Sequence, residues 1–132
     1  MTTYTLKKGT YLFGDPALII KKTEEGNLLV RKLWEVFYQD AQSFQHLTLD
    51  GTDFFITRTA EGDGFYQSVG TDTGTLMLIH VEDHQQDERL NLTLNRKGLL
   101  TLHMNEGETV SVERFNIYFS QGITILTNSD DM

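Results

Sequence analysis

A chain of 132 residues is the size of one ordinary domain, and 39% hydrophobic content with eight Phe, five Tyr and one Trp is too much apolar surface for a disordered chain. It has no cysteine, which excludes disulfides, thiolate catalysis and Cys-type zinc sites. The net charge of −8 is uneven, with six basic and four acidic residues over 1–35 but five and fifteen over 36–132, so a counterion-displacing nucleic-acid surface is not expected and a protein partner is.

The start, Met1-Thr2-Thr3-Tyr4-Thr5-Leu6-Lys7-Lys8, has no apolar targeting segment. The longest apolar runs are the four-residue stretches Ala17–Ile20 and Leu76–Ile79, against the roughly twenty that a membrane span needs. A cytoplasmic protein with no membrane partner is the expectation. Thr10–Phe13 reads as a short strand stopped by Gly14-Asp15-Pro16, with Asp15 a helix N-cap and Pro16 at the first helical position. Val30, Leu33, Phe37, Ala41 and Phe44 recur at helical spacing, with Trp34 on the margin. The main helix is therefore predicted over Asn27–Gln42, with Asn27 as its N-cap.

From Thr52 the period becomes two. Phe54–Thr59 and Phe65–Val69 read as strands around the turn Glu61-Gly62-Asp63-Gly64. Gly70–Gly74 turns into Thr75–Val81, apolar enough for a central strand, and Glu82–Glu88 reads as a loop. Leu90, Leu92 and Leu94 alternate, and Asn95-Arg96-Lys97-Gly98 reads as a hairpin loop returning through Leu100, Leu102 and Met104. Val110 and Val112, then Phe115, Ile117 and Phe119, are assigned inward. The step from 112 to 115 breaks the period, which requires a bulge or tight bend at Glu113-Arg114. Ile123–Thr127 is a final strand. The prediction is α+β: an antiparallel β-meander, with a strongly curved or barrel-like sheet as one form of it, and one main helix packed on it. Residues 1–127 form the domain, and Asn128–Met132 a flexible acidic tail.

Four motifs occur in order: Gly14-Asp15-Pro16, a helix bearing Trp34, Thr59-Ala60-Glu61-Gly62-Asp63-Gly64-Phe65-Tyr66, and Gly70-Thr71-Asp72-Thr73-Gly74-Thr75. Over about residues 10–81 this order resembles a widespread, largely uncharacterised family of small bacterial and phage proteins. The resemblance implies an α+β fold and brings no activity with it.

Asp15, Asp63 and Asp72 are the candidate site residues. If their loops meet at one end of the sheet, three carboxylates could hold a hard cation or do acid–base work. Turn chemistry explains each of them more simply, because Gly and Asp supply the backbone angles and side-chain bonds of tight turns. Asp72-Thr73-Gly74 also matches the core of the aspartic-protease motif, but Val69-Gly70-Thr71 is no apolar lead-in strand and no apolar brace follows. His80 and His84 have the spacing of a helical zinc pair, yet on a strand that spacing separates them by about 13 Å. They read as exposed strand-end histidines, and His46 and His103 as isolated. No nucleophile elbow, phosphate loop or cofactor motif is present. The sequence therefore predicts a non-enzymatic protein-interaction or regulatory, inhibitor-like module without a cofactor, able to offer a sheet edge; a homodimer stays open. The alternative is a metal-assisted hydrolase or small-ligand binder using the aspartates.

Overall fold

The strand Thr75–His80 is buried along its whole length. A half-exposed strand alternates apolar and polar residues, so an unbroken apolar run implies cover on both faces. The computed structural model, which describes residues 1–40 and 44–128, has that arrangement. In chain order the elements are β1 (Thr2–Thr5), β2 (Gly9–Gly14), α1 (Pro16–Ile19), α2 (Glu24–Phe37), β3 (Gln45–Leu49), β4 (Thr52–Arg58), β5 (Gly64–Tyr66), β6 (Val69–Thr71) and β7 (Thr75–His80). A 3-10 turn (Glu82–His84) follows, and then β8 (Leu100–Met104), β9 (Thr109–Glu113), β10 (Asn116–Phe119) and β11 (Thr124–Ile125).

All strand pairs within the sheets are antiparallel. A five-stranded sheet has the order β3-β4-β7-β2-β8, a four-stranded sheet β1-β9-β10-β11, and β5-β6 is a separate hairpin. The α+β class is as predicted. The strands divide between open sheets rather than closing into a barrel.

The five-stranded sheet is the middle layer. From β7, Met77 and Ile79 join Leu12, Leu29, Leu33, Phe37, Phe54 and Ile56 in a core under α2. The alternate residues Leu76 and Leu78 join Tyr11, Phe13, Leu102, Val110, Ile117 and Phe119 in a second core against the four-stranded sheet. Each fully buried Leu, Ile or Phe side chain contributes about 1.5–3 kcal/mol, so these two cores carry the fold.

The helix runs over Glu24–Phe37, capped by Thr23, whose hydroxyl accepts from the Gly26 amide at 3.0 Å. This corrects Asn27–Gln42 with its Asn27 cap. The buried stripe is Leu29, Leu33 and Phe37, while Val30 and Trp34 pack at its edge. Ala41 and Gln42 lie outside the described residues. Phe44 is buried, but in the core on the other side of the middle sheet.

Leu90–Leu94 is not a strand. Leu90 forms one bridge with Ile20, and β8 pairs with β2 instead. The predicted bend falls in place as a two-residue hairpin: Glu113 faces Asn116, and Arg114 (φ 50°) and Phe115 (φ 66°) occupy the left-handed region. Phe115 is thus a half-buried turn residue rather than an inward strand residue. At the C-terminal end, the Asn116 side-chain oxygen accepts from the amides of Thr127 and Asn128 at 2.8 and 3.0 Å, so Asn128 is anchored. Residues 129–132 of the predicted tail lie outside the described residues. Among the described residues no helix is long and apolar enough to cross a membrane.

Candidate functional site

At the end of β2 the chain turns through Asp15 into α1, with Pro16 opening the helix. Asp15 is 1% exposed. Its Oδ1 accepts from the Ala17 amide at 2.7 Å and the Thr73 hydroxyl at 3.2 Å. Its Oδ2 accepts from the Thr71 hydroxyl at 2.8 Å and from the amides of Asp72 and Thr73 at 2.5 and 3.1 Å. A buried carboxylate is tolerated only when its charge is met by donors, and here four of the five come from Thr71, Asp72 and Thr73 at the β6–β7 turn. Asp15 therefore fastens α1 to that turn.

The Thr59–Tyr66 motif has a similar mechanical reading. The Thr59 hydroxyl and the Tyr66 hydroxyl both donate to the Gly62 carbonyl, at 2.5 and 2.8 Å, closing the β4–β5 loop on itself. The Thr59 amide donates to Gly74 at 2.9 Å, and a side chain on Gly74 would stand 3.4 Å from the Gly62 Cα. The turns bearing Asp63 and Asp72 thus abut. The stretches Gly14-Asp15-Pro16, Thr59–Tyr66 and Gly70–Thr75, far apart in sequence, meet at one corner.

Asp15, Asp63 and Asp72 all border one cleft of about 420 Å³. Only the last two are exposed. Asp15 has its oxygens committed to five donors, and among the described residues no group of three or more His, Asp or Glu is placed to hold a metal ion. Millimolar Ca²⁺ or Mg²⁺ should accordingly leave the melting temperature within about 1 °C, and Asp63→Asn should change stability by under about 0.5 kcal/mol. A cation-induced rise above about 3 °C that Asp63→Asn abolishes would show the opposite.

The remaining walls of the cleft were not singled out from the sequence. Phe65 is 74% exposed although aromatic, and Leu18 is 42% exposed. The hairpin explains Phe65. Tyr66 is turned inward to reach Gly62, so its strand neighbour must point outward. Its ring lies against Gly70, where an added Cβ would be 2.9 Å from the ring, so glycine lets the ring lie this close. The Gly70 amide donates to the Gly98 carbonyl at 3.0 Å, and Gly98 in turn approaches Leu18. Arg96 holds this wall by donating to the carbonyls of Leu18, Asn91 and Thr93 at 2.8, 2.7 and 2.9 Å. Lys22 and Lys97 complete the rim. The alternation of Phe65 and Tyr66 was the available signal for an outward aromatic.

The histidines are not exposed strand ends: His80 and His84 are 8% and 7% exposed. His80 donates from Nε2 to the Lys8 carbonyl at 2.9 Å and accepts at Nδ1 from the Asp83 amide at 3.2 Å. His84 donates from Nδ1 to the His80 carbonyl at 2.7 Å and accepts at Nε2 from the Asp53 amide at 3.0 Å. Each ring is consumed in bracing the 3-10 turn, which replaces the loop predicted there. His46 is not isolated, since it donates to Asp53 at 2.5 Å and stacks on Phe55. His103 lies 3.3 Å from the Thr10 hydroxyl. Nearby, burial pushes the Tyr11 hydroxyl up to about 12, and the Arg89 guanidinium holds the Asp87 carboxyl well below the usual range. Both are packing features of the middle sheet rather than parts of the cleft.

Comparison with known proteins gives no match among family models, curated proteins or solved structures.

Proposed function

We propose that this chain is a small non-enzymatic interaction module, acting inside the cell, that binds protein through the face formed by Leu18 and Phe65. The observation that carries the reading is the 74% exposure of Phe65. A ring that lies against Gly70 and is otherwise in water offers a docking surface an aromatic anchor. Leu18 beside it enlarges the apolar area, and the charged rim suits a polar border around a buried anchor. Among the described residues β1, β3, β8 and β11 are the edge strands of the two larger sheets, further places where a partner strand could add. Regulation or inhibition by steric occupation needs no more than this.

The small-ligand alternative has one observation in its favour. The cleft, about 420 Å³ and bordered by all of the candidate aspartates, is within the usual ligand-pocket range. The cation titration described above separates the two readings.

The interaction reading is tested by immobilising the wild-type chain and a Leu18→Ser/Phe65→Ser variant and comparing what each retains from host extract. The wild type should retain a protein, another chain or further copies of itself, that the variant loses while keeping its fold by circular dichroism. Equal recovery on both would contradict the reading.

A further inference from the structure

We infer that the groove between α1 and α2 binds a small carboxylic acid whose apolar part is the size of one ring. The groove is separate from the Leu18–Phe65 face, and its occupant does not depend on the interaction reading. Its apolar walls are Pro16, Ile20, Val30 and Trp34. Two helices supply them, α1 closing at Ile20 and α2 presenting Val30 and Trp34 one turn apart. The Ile20 amide donates to the Pro16 carbonyl and the Lys21 amide to the Arg89 carbonyl, at 2.8 and 2.7 Å, which fixes the α1 side. On the α2 side the Trp34 ring rests against Phe37 and Tyr38, with ring centres 6.5 and 5.5 Å apart. The walls are thus formed before a guest arrives, which lowers the cost of binding.

Volume sets the size of the guest. The groove holds about 160 Å³, and an apolar cavity of about 150 Å³ takes one benzene. Nucleotides and other drug-sized ligands need about 300 Å³ or more.

The polar lining sets its charge. Lys21, Lys22, Asn27 and Thr73 line the groove, and no acidic side chain does. The Thr73 hydroxyl is already bonded to Asp15 and Thr75. Asp15, next to Pro16, has its charge met by five donors. Among the described residues no ion pair or hydrogen bond engages the Lys21 and Lys22 ammoniums or the Trp34 indole N–H. The free groups of the lining are therefore mainly donors, two of them cationic. Lysine stems cover apolar surface and are flexible, so their heads can close on a carboxylate once the ring is seated. An internal protein segment has no carboxylate on its backbone and would leave both cations unused. The chain as a whole carries −8, so its general field favours a cationic guest over an anionic one. A preference for the acid can come only from the groove.

Trp34 is the only tryptophan of the chain, so its fluorescence reports on this groove. Phenylacetate, added to the intact chain up to about 10 mM at constant ionic strength, should change that emission saturably, with half the change at about 1 mM or below. 2-Phenylethylamine, with the same ring and the opposite charge, should give no saturable change over that range. Lys21→Gln/Lys22→Gln should weaken phenylacetate binding at least about tenfold. Val30→Phe, which fills the groove from its wall, should abolish it. Both lysines are exposed and Val30 is half-buried, and circular dichroism checks that each variant keeps its fold.

No saturable change with phenylacetate overturns the inference. So does an equal response to the amine, or undiminished binding by the lysine variant. A peptide ending in phenylalanine that binds where phenylacetate does not also overturns it, because the guest is then a chain terminus and not a free acid.

Discussion

Asp15→Ala should lower the unfolding free energy by about 3–5 kcal/mol, because it strands a set of buried donors together. The amides of Ala17, Asp72 and Thr73 and the hydroxyls of Thr71 and Thr73 all point at this carboxylate. Water has little room to replace it at 1% exposure. Asp15→Asn keeps the shape but sets an NH₂ among donors, so it should be intermediate, at about 1–3 kcal/mol. Urea titration reads both. The changes should move the midpoint with little change in slope, since the surface exposed on unfolding is similar. A loss below about 1 kcal/mol for the alanine variant would mean that the donors find other partners, and would free Asp15 for another role.

Phe37→Ala should cost about 3–5 kcal/mol. The ring is fully buried at the end of α2, in the core that also holds Leu33 of the same helix and Phe54 and Ile56 from the facing sheet. The Phe37 carbonyl accepts from the Gln45 side-chain amide at 3.1 Å, which ties the helix end to the start of β3. The neighbourhood is thus fixed from two directions and should collapse little around the cavity. Leu33→Ala should fall at about 2–5 kcal/mol for the same reason. Values below about 0.5 kcal/mol would contradict the packing of α2 on the middle sheet.

Periodicity made most of the elements legible. The apolar run Leu76–Ile79 within the expected strand Thr75–Val81 correctly marks the central strand, which spans Thr75–His80, and the Asp15-Pro16 pair correctly marks a helix start. The odd step between Val112 and Phe115 locates a tight turn without specifying its kind. The errors have physical causes. Gly26 reads as a break, yet it lies inside α2, where an added Cβ would come 1.9 Å from the Lys21 carbonyl. Close approach, not chain reversal, is what requires glycine there. Leu90, Leu92 and Leu94 alternate like a strand, but the carbonyls of Asn91 and Thr93 are satisfied by the Arg96 guanidinium and β2 already takes β8 as its neighbour. Side-chain donors thus stand in for part of a ladder, and no local pattern reveals that.

The site was legible only in part. Asp15, Asp63 and Asp72 do border one cleft, as convergence of their loops would require. Whether a carboxylate is free to act depends on donors more than fifty residues away in sequence, as with Thr71, Asp72 and Thr73 around Asp15. Spacing alone cannot show that. Likewise Lys97 and Gly98 reach the cleft only because Gly70 bonds Gly98 and Leu18 packs beside it.

The central claim is that the Leu18–Phe65 face makes the protein contact. The most direct measurement is a residue-resolved NMR titration of the isotope-labelled chain with the protein it retains from host extract, another chain or unlabelled copies of itself. Signals of Leu18, Lys22, Phe65, Gly70 and Gly98 should move together and saturably with concentration, while those of β9, β10 and β11 stay fixed. Shifts confined to another surface, or no shift at these residues across the series, would contradict it.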